Sequence, residues 1–300
     1  MESFSRGWNF LQQAWSMAFK DKDLLKPSVY ALIVGMIVSV VGLIPIIGAL
    51  FLFGNSRFGN VILFILGAIL IFVQFVVSYV FSGMTVYLIY GYLAEGDGHM
   101  DKAWGIIQRD FLDIVTLAAV STLVSLLRNA ANRNRGGFGA GLARGATSLL
   151  QVLWTEASYL VLPAMVIDDL NLKDGMQRVL KITRENLLLI GISTVGVRLV
   201  TGLIGFLLGA GGLALAFAIG GGATYMAGGL NTLSIIAVAI GAFVFFTFVV
   251  IASVISSYTS TAYHTCLYIW ARDVEKAQTA GQAIRVAAPA PLAAVLGYDR

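Results

Sequence analysis

The feature that most constrains the fold of this chain is a set of long stretches without charged residues. No Asp, Glu, Lys or Arg lies between Lys26 and Arg57 or between Arg57 and Glu95. Another such stretch runs from Arg198 to Arg272. A helix needs about 20 apolar residues to cross a bilayer, and a charge at that depth is costly. The pattern therefore predicts an integral membrane protein.

The composition excludes the soluble classes of protein. The 300 residues include 20 basic and 16 acidic side chains, so that 12% are charged, while 58% are hydrophobic and the mean hydropathy is +0.84. Soluble domains carry about 25% charged residues, and a water-soluble fold of this sequence would expose more apolar surface than monomers tolerate. We therefore exclude a soluble enzyme, a disordered chain and a nucleic-acid-binding protein.

The charge-free stretches predict six transmembrane helices. These cover residues 27–56, 58–94, about 111–127, about 147–167, a fifth stretch from about 187, and about 232–270. The stretch that follows Arg198 is too long for one helix. We therefore expect the chain to turn back within the glycine-rich segment 220–229.

An amphipathic helix is predicted before spans one, three and five. Apolar residues recur at helical spacing over residues 6–19, over 100–111 and from 172 onward. In the first two copies an Ala-Trp pair precedes a basic-acidic pair at the same distance, and the tryptophans are candidate interfacial anchors. The anchors are Trp8, Trp15 and Trp104.

These regularities define the predicted fold class, which is all-α. We expect a polytopic membrane bundle of six transmembrane helices in three repeats, each an interfacial amphipathic helix plus a transmembrane hairpin. The repeats would cover residues 1–93, 94–167 and 168–272, followed by a cytoplasmic tail over 273–300. The tail contains an Ala-Pro segment, which is typical of a flexible end. If the tail is ordered, it implies a docking surface.

The return span of each hairpin carries polar side chains at helical spacing, whereas spans one and three are almost pure hydrocarbon. Hydroxyl and amide groups in a span face other helices or water, so we expect the return helices inside the bundle. Hydrogen-bonded contacts between packed helices and a water-filled path both fit the pattern. The polar residues are Gln74, Ser78, Ser82 and Thr85; Ser148, Gln151, Thr155 and Ser158; and Ser253, Ser256, Ser257, Ser260 and His264.

Three charged residues lie within predicted spans. Glu156 and Arg198 would be at bilayer depth, where an unpaired charge costs several kcal/mol, and they are able to pair across spans four and five. A structural ion pair and a proton or ion relay are the two readings of this pair. Asp113 lies within about a turn of the interface, where we expect it to be solvated.

Charge asymmetry predicts the orientation. An even number of spans puts both termini on one side, and most of the basic residues then lie on that side, so the termini are expected in the cytoplasm. No secretory signal is expected, because no short apolar region with a cleavage site precedes the first span. One loop on the outer side is an exception to the positive-inside rule, because it carries four arginines and no acidic residue. It is either a solvated loop or a site for anionic lipid headgroups. Its basic residues are Arg128, Arg133, Arg135 and Arg144.

Several segments resemble a family of uncharacterised six-span bacterial membrane proteins. The chain is also loosely similar to Yip1-like membrane domains and to the membrane part of glycerophosphodiester phosphodiesterases. The resemblance implies a location in the bacterial cytoplasmic (inner) membrane and supplies no catalytic residues. This chain differs from the family in its Arg/Gly outer loop and its Ala/Pro-rich tail. The segments are Arg6-Gly7-Trp8, Ala14-Trp15, Lys20-Asp21 to Lys26-Pro27, residues 162–166, 180–186 and 267–271.

The sequence does not indicate catalysis. Cys266 is the only cysteine and there are two histidines, so no disulfide framework and no zinc site with three or four Cys or His ligands is expected. We expect no enzymatic activity, no cofactor and no metal. The function that the sequence favours is an oligomeric membrane scaffold or organiser, which would make the chain a homo-oligomer. The alternative is a channel or transporter for an ion or small solute that uses the polar faces of spans two, four and six.

Overall fold

Every secondary-structure element among the described residues is a helix, as predicted. The structure, a computed structural model, describes residues 2–54, 56–133, 137–185, 187–226, 231–281 and 286–296. The helices are α1 (Glu2–Lys20), α2 (Lys26–Phe53), α3 (Arg57–Glu95), α4 (Met100–Arg109), α5 (Phe111–Arg133), α6 (Gly137–Asp168), α7 (Leu172–Glu185), α8 (Leu187–Met226), α9 (Thr232–Thr279) and α10 (Ala290–Leu296), with a 3₁₀ turn at Lys22–Leu24.

Six helices within the described ranges are long and apolar enough to cross a membrane. They correspond to α2, α3, α5, α6, α8 and α9. The spacing of charges therefore predicted the number and order of these helices correctly. Local caps explain two of the boundaries. Oγ of Ser56 accepts a hydrogen bond from the backbone of Gly59 at 3.0 Å and starts α3, and Asn231 and Ser234 form a capping box that starts α9.

The turn between spans five and six is predicted within the glycine-rich segment 220–229, and the first half of that segment is helical, while α9 begins at Thr232. Gly220, Gly221 and Gly222 are helical, and α8 continues to Met226. Glycine breaks a helix mainly where water or a turn satisfies the backbone instead. In apolar surroundings the helix is the conformation that satisfies the backbone internally. Residues 227–230, the rest of this segment, lie outside the described residues.

The return helices α3, α6 and α9 pack against one another and form the inside of the bundle, as the polar stripes predicted. The outgoing helices lie outside them. Helix α2 packs on α3 and α9, α5 packs on α3 and α6, and α8 packs on α9. Among the described residues α6 and α8 do not form a closely packed pair. The side of the bundle between α6 and α8 is therefore the loosely packed one.

The amphipathic helices form the base of the bundle. Helix α4 packs on α3, α7 packs on α6, and α1 packs on α8 and α9. Ala14 and Ala103, the alanines of the two Ala-Trp pairs, are fully buried. Trp8 and Trp104 lie on the exposed flanks of their helices, at 44% and 48% of full exposure, while Trp15 is half-buried against α9.

Buried and exposed apolar side chains separate along the length of the helices. The core lies where the base helices meet the adjacent ends of the spans, and it includes Phe10, Leu88, Ile107, Met165 and Leu267. The far halves of α2, α3, α8 and α9 expose large apolar side chains instead. Examples are Ile44, Phe51, Phe58, Phe206, Phe217 and Phe243.

The C-terminal segment differs from the predicted flexible tail. Helix α9 continues past residue 273 to Thr279, and α10 packs on α1 with Leu292 fully buried. Val286 and Ala288 also pack against the core. The described part of the tail therefore docks on this chain's own first helix.

Candidate functional site

A polar cavity of about 660 Å³ lies between α3, α6, α8 and α9. It is on the side of the bundle where α6 and α8 do not pack closely. Hydroxyl groups from all four helices line it, together with one arginine and one histidine. The polar residues are Ser78, Ser82, Thr155, Tyr159, Arg198, Thr201, Ser253, Ser256, Ser257, Ser260, Tyr263 and His264.

Arg198 and His264 line this cavity, and the carboxylate of Glu156 contacts both, so that three helices are connected. Nη2 of Arg198 forms an ion pair with Oε1 of Glu156, so the suggested pairing of these residues is confirmed. Oε2 of the same carboxylate lies 3.3 Å from Nε2 of His264. The sequence indicated His264 as a candidate, but it did not indicate that contact. The ion pair bridges the gap between α6 and α8.

The exposure of these side chains decreases from the arginine to the histidine. The side chain of Arg198 is 50% exposed, that of Glu156 is 27% exposed, and that of His264 is 4% exposed. A guanidinium has five N–H donors, and the contact with Glu156 is made through Nη2 alone. The open side of the cavity therefore presents a positive group that is able to bind a ligand.

His264 is held by its own helix and by two aromatic rings. Nδ1 lies 2.7 Å from the backbone oxygen of Ser260, one turn earlier on α9. Tyr159 stacks on the imidazole at 4.9 Å between ring centroids, and Tyr263 meets it edge-on at 5.1 Å. These contacts fix the direction in which Nε2 points.

A carbonyl oxygen only accepts hydrogen bonds, so Nδ1 of His264 must carry a hydrogen. In a neutral imidazole the other nitrogen, Nε2, then has a lone pair instead of a hydrogen. That nitrogen faces the carboxylate of Glu156. The contact between Nε2 and Oε2 is attractive only when a proton lies between the two atoms.

A smaller cavity of about 90 Å³ adjoins the first and shares Ser78, Ser82, Thr155 and Tyr159 with it. It lies between α3, α5 and α6, and its polar contacts converge on Ser121. The hydroxyl of Tyr79 lies 2.7 Å from Oγ of Ser121, and the indole of Trp154 donates to the same oxygen at 2.8 Å. Sequence reasoning missed this network, because span three was interpreted as almost pure hydrocarbon and its hydroxyls, Ser121 among them, were not considered.

Two other candidate residues lie away from the cavity. Nε2 of Gln74 donates to the backbone oxygen of Gly35 at 2.8 Å and contacts Oγ of Ser39 at 2.7 Å, so it joins α2 to α3. Asp113 is half-buried in the first turn of α5, a helix that does not contribute to the larger cavity.

The basic outer loop is described only in part. Arg128 donates through Nη1 to Oε1 of Gln151 at 2.7 Å, and Arg144 is exposed. The side chain of Arg133 and all of Arg135 lie outside the described residues. The hydrogen bond between Arg128 and Gln151 joins α5 to α6 and gives Gln151 a structural role.

A network of charges connects α6, α7 and α9 at the base, and the sequence did not predict it. Asp168 lies 3.2 Å from Arg272 and 3.5 Å from Arg178, and it accepts a hydrogen bond from the hydroxyl of Tyr268 at 2.5 Å. Arg178 and Lys181 reach Glu275 at 3.1 and 2.6 Å. Along α6, this layer is about 18 Å from Glu156.

Arg109 forms a second polar contact at the base. Its Nε donates to Asp110 at 2.6 Å, and Nη2 lies 3.1 Å from Asp169. The hydrogen bond to the Asp110 carboxylate raises the pKa of Arg109 above its ordinary value. The guanidinium is therefore charged under all physiological conditions.

Within the described ranges, no group of three or more His, Cys, Asp and Glu side chains is arranged to hold a metal ion. No protein-family model matches this chain, and no curated protein matches it. The cavity and its charged residues are therefore the features of the molecule that bear on its function.

Proposed function

We propose that this chain is a multi-pass membrane protein built from three copies of an amphipathic helix followed by a transmembrane hairpin. Six long apolar helices and the apolar side chains exposed on their far halves support insertion. The packing of α3, α6 and α9 around one centre supports the threefold organisation. So does the packing of α4 and α7 on the return helix that precedes each of them.

The proposed membrane is the bacterial inner membrane, with both termini in the cytoplasm. The excess of Lys and Arg on the side of the termini supports this orientation. In this orientation the base formed by α1, α4 and α7 lies at the cytoplasmic surface. The exposed indoles of Trp8 and Trp104 would then anchor it among the lipid headgroups.

The function best supported is transport of a small polar solute. The observation that supports it is the hydroxyl-lined cavity that contains Arg198 and reaches His264. A scaffold needs a dry interior, whereas polar groups inside a membrane bundle are costly unless they bind water, a partner or a substrate. The polar faces of spans two, four and six all contribute to this cavity.

Thiol labelling tests whether the cavity is open to water from both sides of the membrane. A Ser257→Cys variant in a Cys266→Ala background places one thiol in the cavity, and Leu207→Cys in the same background places one on the exposed apolar side of α8. A membrane-impermeant maleimide reacts with the thiolate, which forms only in contact with water. We expect the first variant to be labelled in both right-side-out and inside-out vesicles and the second in neither. Labelling of Ser257→Cys from one side only, or from neither, would contradict transport.

A second candidate function, an oligomeric membrane scaffold, is favoured by the exposed glycine face of α8. An added Cβ at Gly205 or Gly209 would meet no atom within 4 Å. Small residues at such a spacing allow two helices to approach closely in a membrane. Native mass spectrometry would count the subunits, and disulfide cross-linking of Gly209→Cys in the Cys266→Ala background would test whether this face pairs with a second copy.

A further inference from the structure

The charges around His264 change together with one proton. When a proton lies between His264 and Glu156, the two residues together are neutral, whether the nitrogen or the oxygen carries it. Arg198 then gives the group a net charge of about +1. When that proton leaves, the charges of Arg198 and Glu156 cancel, and the lone pair of Nε2 faces the carboxylate at 3.3 Å.

We propose that the cavity binds a monoanionic phosphoryl group together with one proton. The inference rests on the proposed function and adds the class of ligand to it. Proton uptake gives the cavity its positive charge, and an anion with one negative charge restores neutrality. A proton and an anion therefore bind more favourably together than either does alone, because each removes the charge that makes the other costly to bury.

The arrangement of donors favours phosphate oxygens over a carboxylate. A guanidinium is suited to planar, bidentate recognition of oxyanions. The hydroxyls of Ser82 on α3 and Ser257 on α9 reach the same cavity as Arg198 on α8, so that three helices contribute donors. Donors that converge from several directions fit the oxygens of a tetrahedral group better than the two coplanar oxygens of a carboxylate.

Two sources would supply this chemistry, namely inorganic phosphate from solution and the phosphodiester of a phospholipid headgroup. The half-exposed side chain of Arg198 lies where α6 and α8 do not pack closely, which leaves a lateral approach to the cavity. At about pH 6, below the second pKa of inorganic phosphate, both sources present a monoanionic phosphoryl group to Arg198. Competition between inorganic phosphate and a phospholipid for the cavity distinguishes the two sources.

Few other ionisable groups face the imidazole. Helix α3 contributes the hydroxyls of Ser78 and Ser82, and α1 contributes the ring of Phe10, which packs on Tyr263. Phenols stay neutral at physiological pH, so the charge at His264 is set by Glu156 and Arg198. The titratable or charged groups are Glu156 and Tyr159 from α6, Arg198 from α8 and Tyr263 from α9.

The direct test measures proton uptake on binding of dimethyl phosphate, a phosphodiester that stays monoanionic across the pH range used. The probe is added to the full-length protein in a phosphate-free maltoside detergent at about pH 8, and protons are counted with an indicator in weak buffer. We expect uptake of about one proton per bound anion, and binding at about pH 6 that is about tenfold tighter than at about pH 8. This measurement on the wild-type protein needs no variant to fold.

Two variants are expected to shift binding in opposite directions. Glu156→Gln removes the negative charge and keeps the shape, so that Arg198 stays positive at every pH. Binding then becomes independent of pH, without proton uptake, and at about pH 8 is about tenfold tighter than in the wild type. His264→Gln removes the nitrogen that shares the proton, so that Glu156 cancels Arg198 and binding at about pH 6 becomes about tenfold weaker.

The source of the phosphoryl group is identified by competition. Displacement of dimethyl phosphate by inorganic phosphate alone indicates a soluble substrate, and displacement by phosphatidylglycerol in mixed micelles indicates a lipid headgroup. Either result supports the ligand class. Equal wild-type affinity at both pH values, binding without proton uptake, or no binding of dimethyl phosphate would overturn the inference. Labelling of Ser257→Cys from both sides would still support transport in that case, so the two proposals fail separately.

Discussion

The indole Nε1 of Trp15 donates a hydrogen bond to Oγ1 of Thr259 at 3.2 Å, although 244 residues separate them in the chain. The same indole meets the ring of Tyr258 edge-on, and the hydroxyl of Tyr258 donates to the backbone oxygen of Ala14 at 3.0 Å. These contacts attach the first amphipathic helix to the last long helix. They close the bundle between its N-terminal and C-terminal parts.

Trp15→Phe tests this closure. The variant keeps an aromatic ring and loses the donor, so we expect the free energy of unfolding to fall by about 1 kcal/mol. Trp104→Phe is the matched control, because Trp104 holds the equivalent place in the second Ala-Trp pair but is half exposed. Thermal unfolding in detergent measures both variants. Equal midpoints for the two variants would show that the Trp15 hydrogen bond contributes nothing.

Neighbouring aspartates at the end of α6 are expected to differ in their contribution to stability. Asp168 contacts two guanidinium groups and a phenol, so Asp168→Asn should cost about 2 kcal/mol. Asp169 has a φ of 56° and a mostly exposed side chain that contacts Arg109. Asparagine adopts that conformation readily, so Asp169→Asn should change stability by less than about 0.5 kcal/mol. Urea or thermal unfolding of the two variants compares them, and a larger effect at Asp169 would contradict the described network.

Close packing of α8 on α9 depends on Gly241. A Cβ at this position would lie 2.6 Å from the backbone oxygen of Ala216, which cannot rotate away. We expect Gly241→Ala to separate the two helices and to lower stability by about 1–3 kcal/mol. Gly211→Ala is the control within the same pair of helices, because its Cβ would meet no atom within 4 Å. Thermal midpoints that fall equally in both variants would point to a general effect of alanine instead of this contact.

Gln74 is expected to stabilise the first hairpin without affecting the cavity. Gln74→Leu removes the hydrogen bonds to Gly35 and Ser39, and bonds of this kind between membrane helices contribute about 0.6 kcal/mol on average. Labelling of Ser257→Cys in the Cys266→Ala background should therefore be unchanged when Gln74→Leu is added, while the thermal midpoint falls slightly. A large loss of labelling would assign Gln74 to the transport path.

Much of the fold follows from where charges are missing, because charge at bilayer depth is costly enough to mark the spans. The stripe from Ser253 to His264 likewise predicted that α9 lies inside the bundle. The contact between His264 and Glu156 was not predictable in the same way. It depends on the rotation of α6 and α9 about their axes, and hydropathy along a helix does not determine that rotation.

The base network was missed for a different reason. Asp168, Arg178 and Glu275 are ordinary charged residues outside the predicted spans, where charges are usually solvated. Only the packing of α7 on α6 and of α6 on α9 brings them within ion-pair distance. Ser121 and Trp154 were missed similarly, since a serine and a tryptophan in different apolar spans show no common spacing in the sequence.

Helix α9 carries both the cavity residues from Ser253 to His264 and the base residues Arg272 and Glu275 without interruption. A change in the tilt of α9 would therefore displace residues of both layers together. Glu275 lies about 16 Å beyond His264 along this helix, so a tilt of about 10° around the cavity would move its carboxylate by roughly 3 Å. A displacement of that size would pull Glu275 away from Lys181 and Arg178. The tilt of α9 at the cavity and the ion pairs between α9 and α7 at the base are therefore set by the same rigid element.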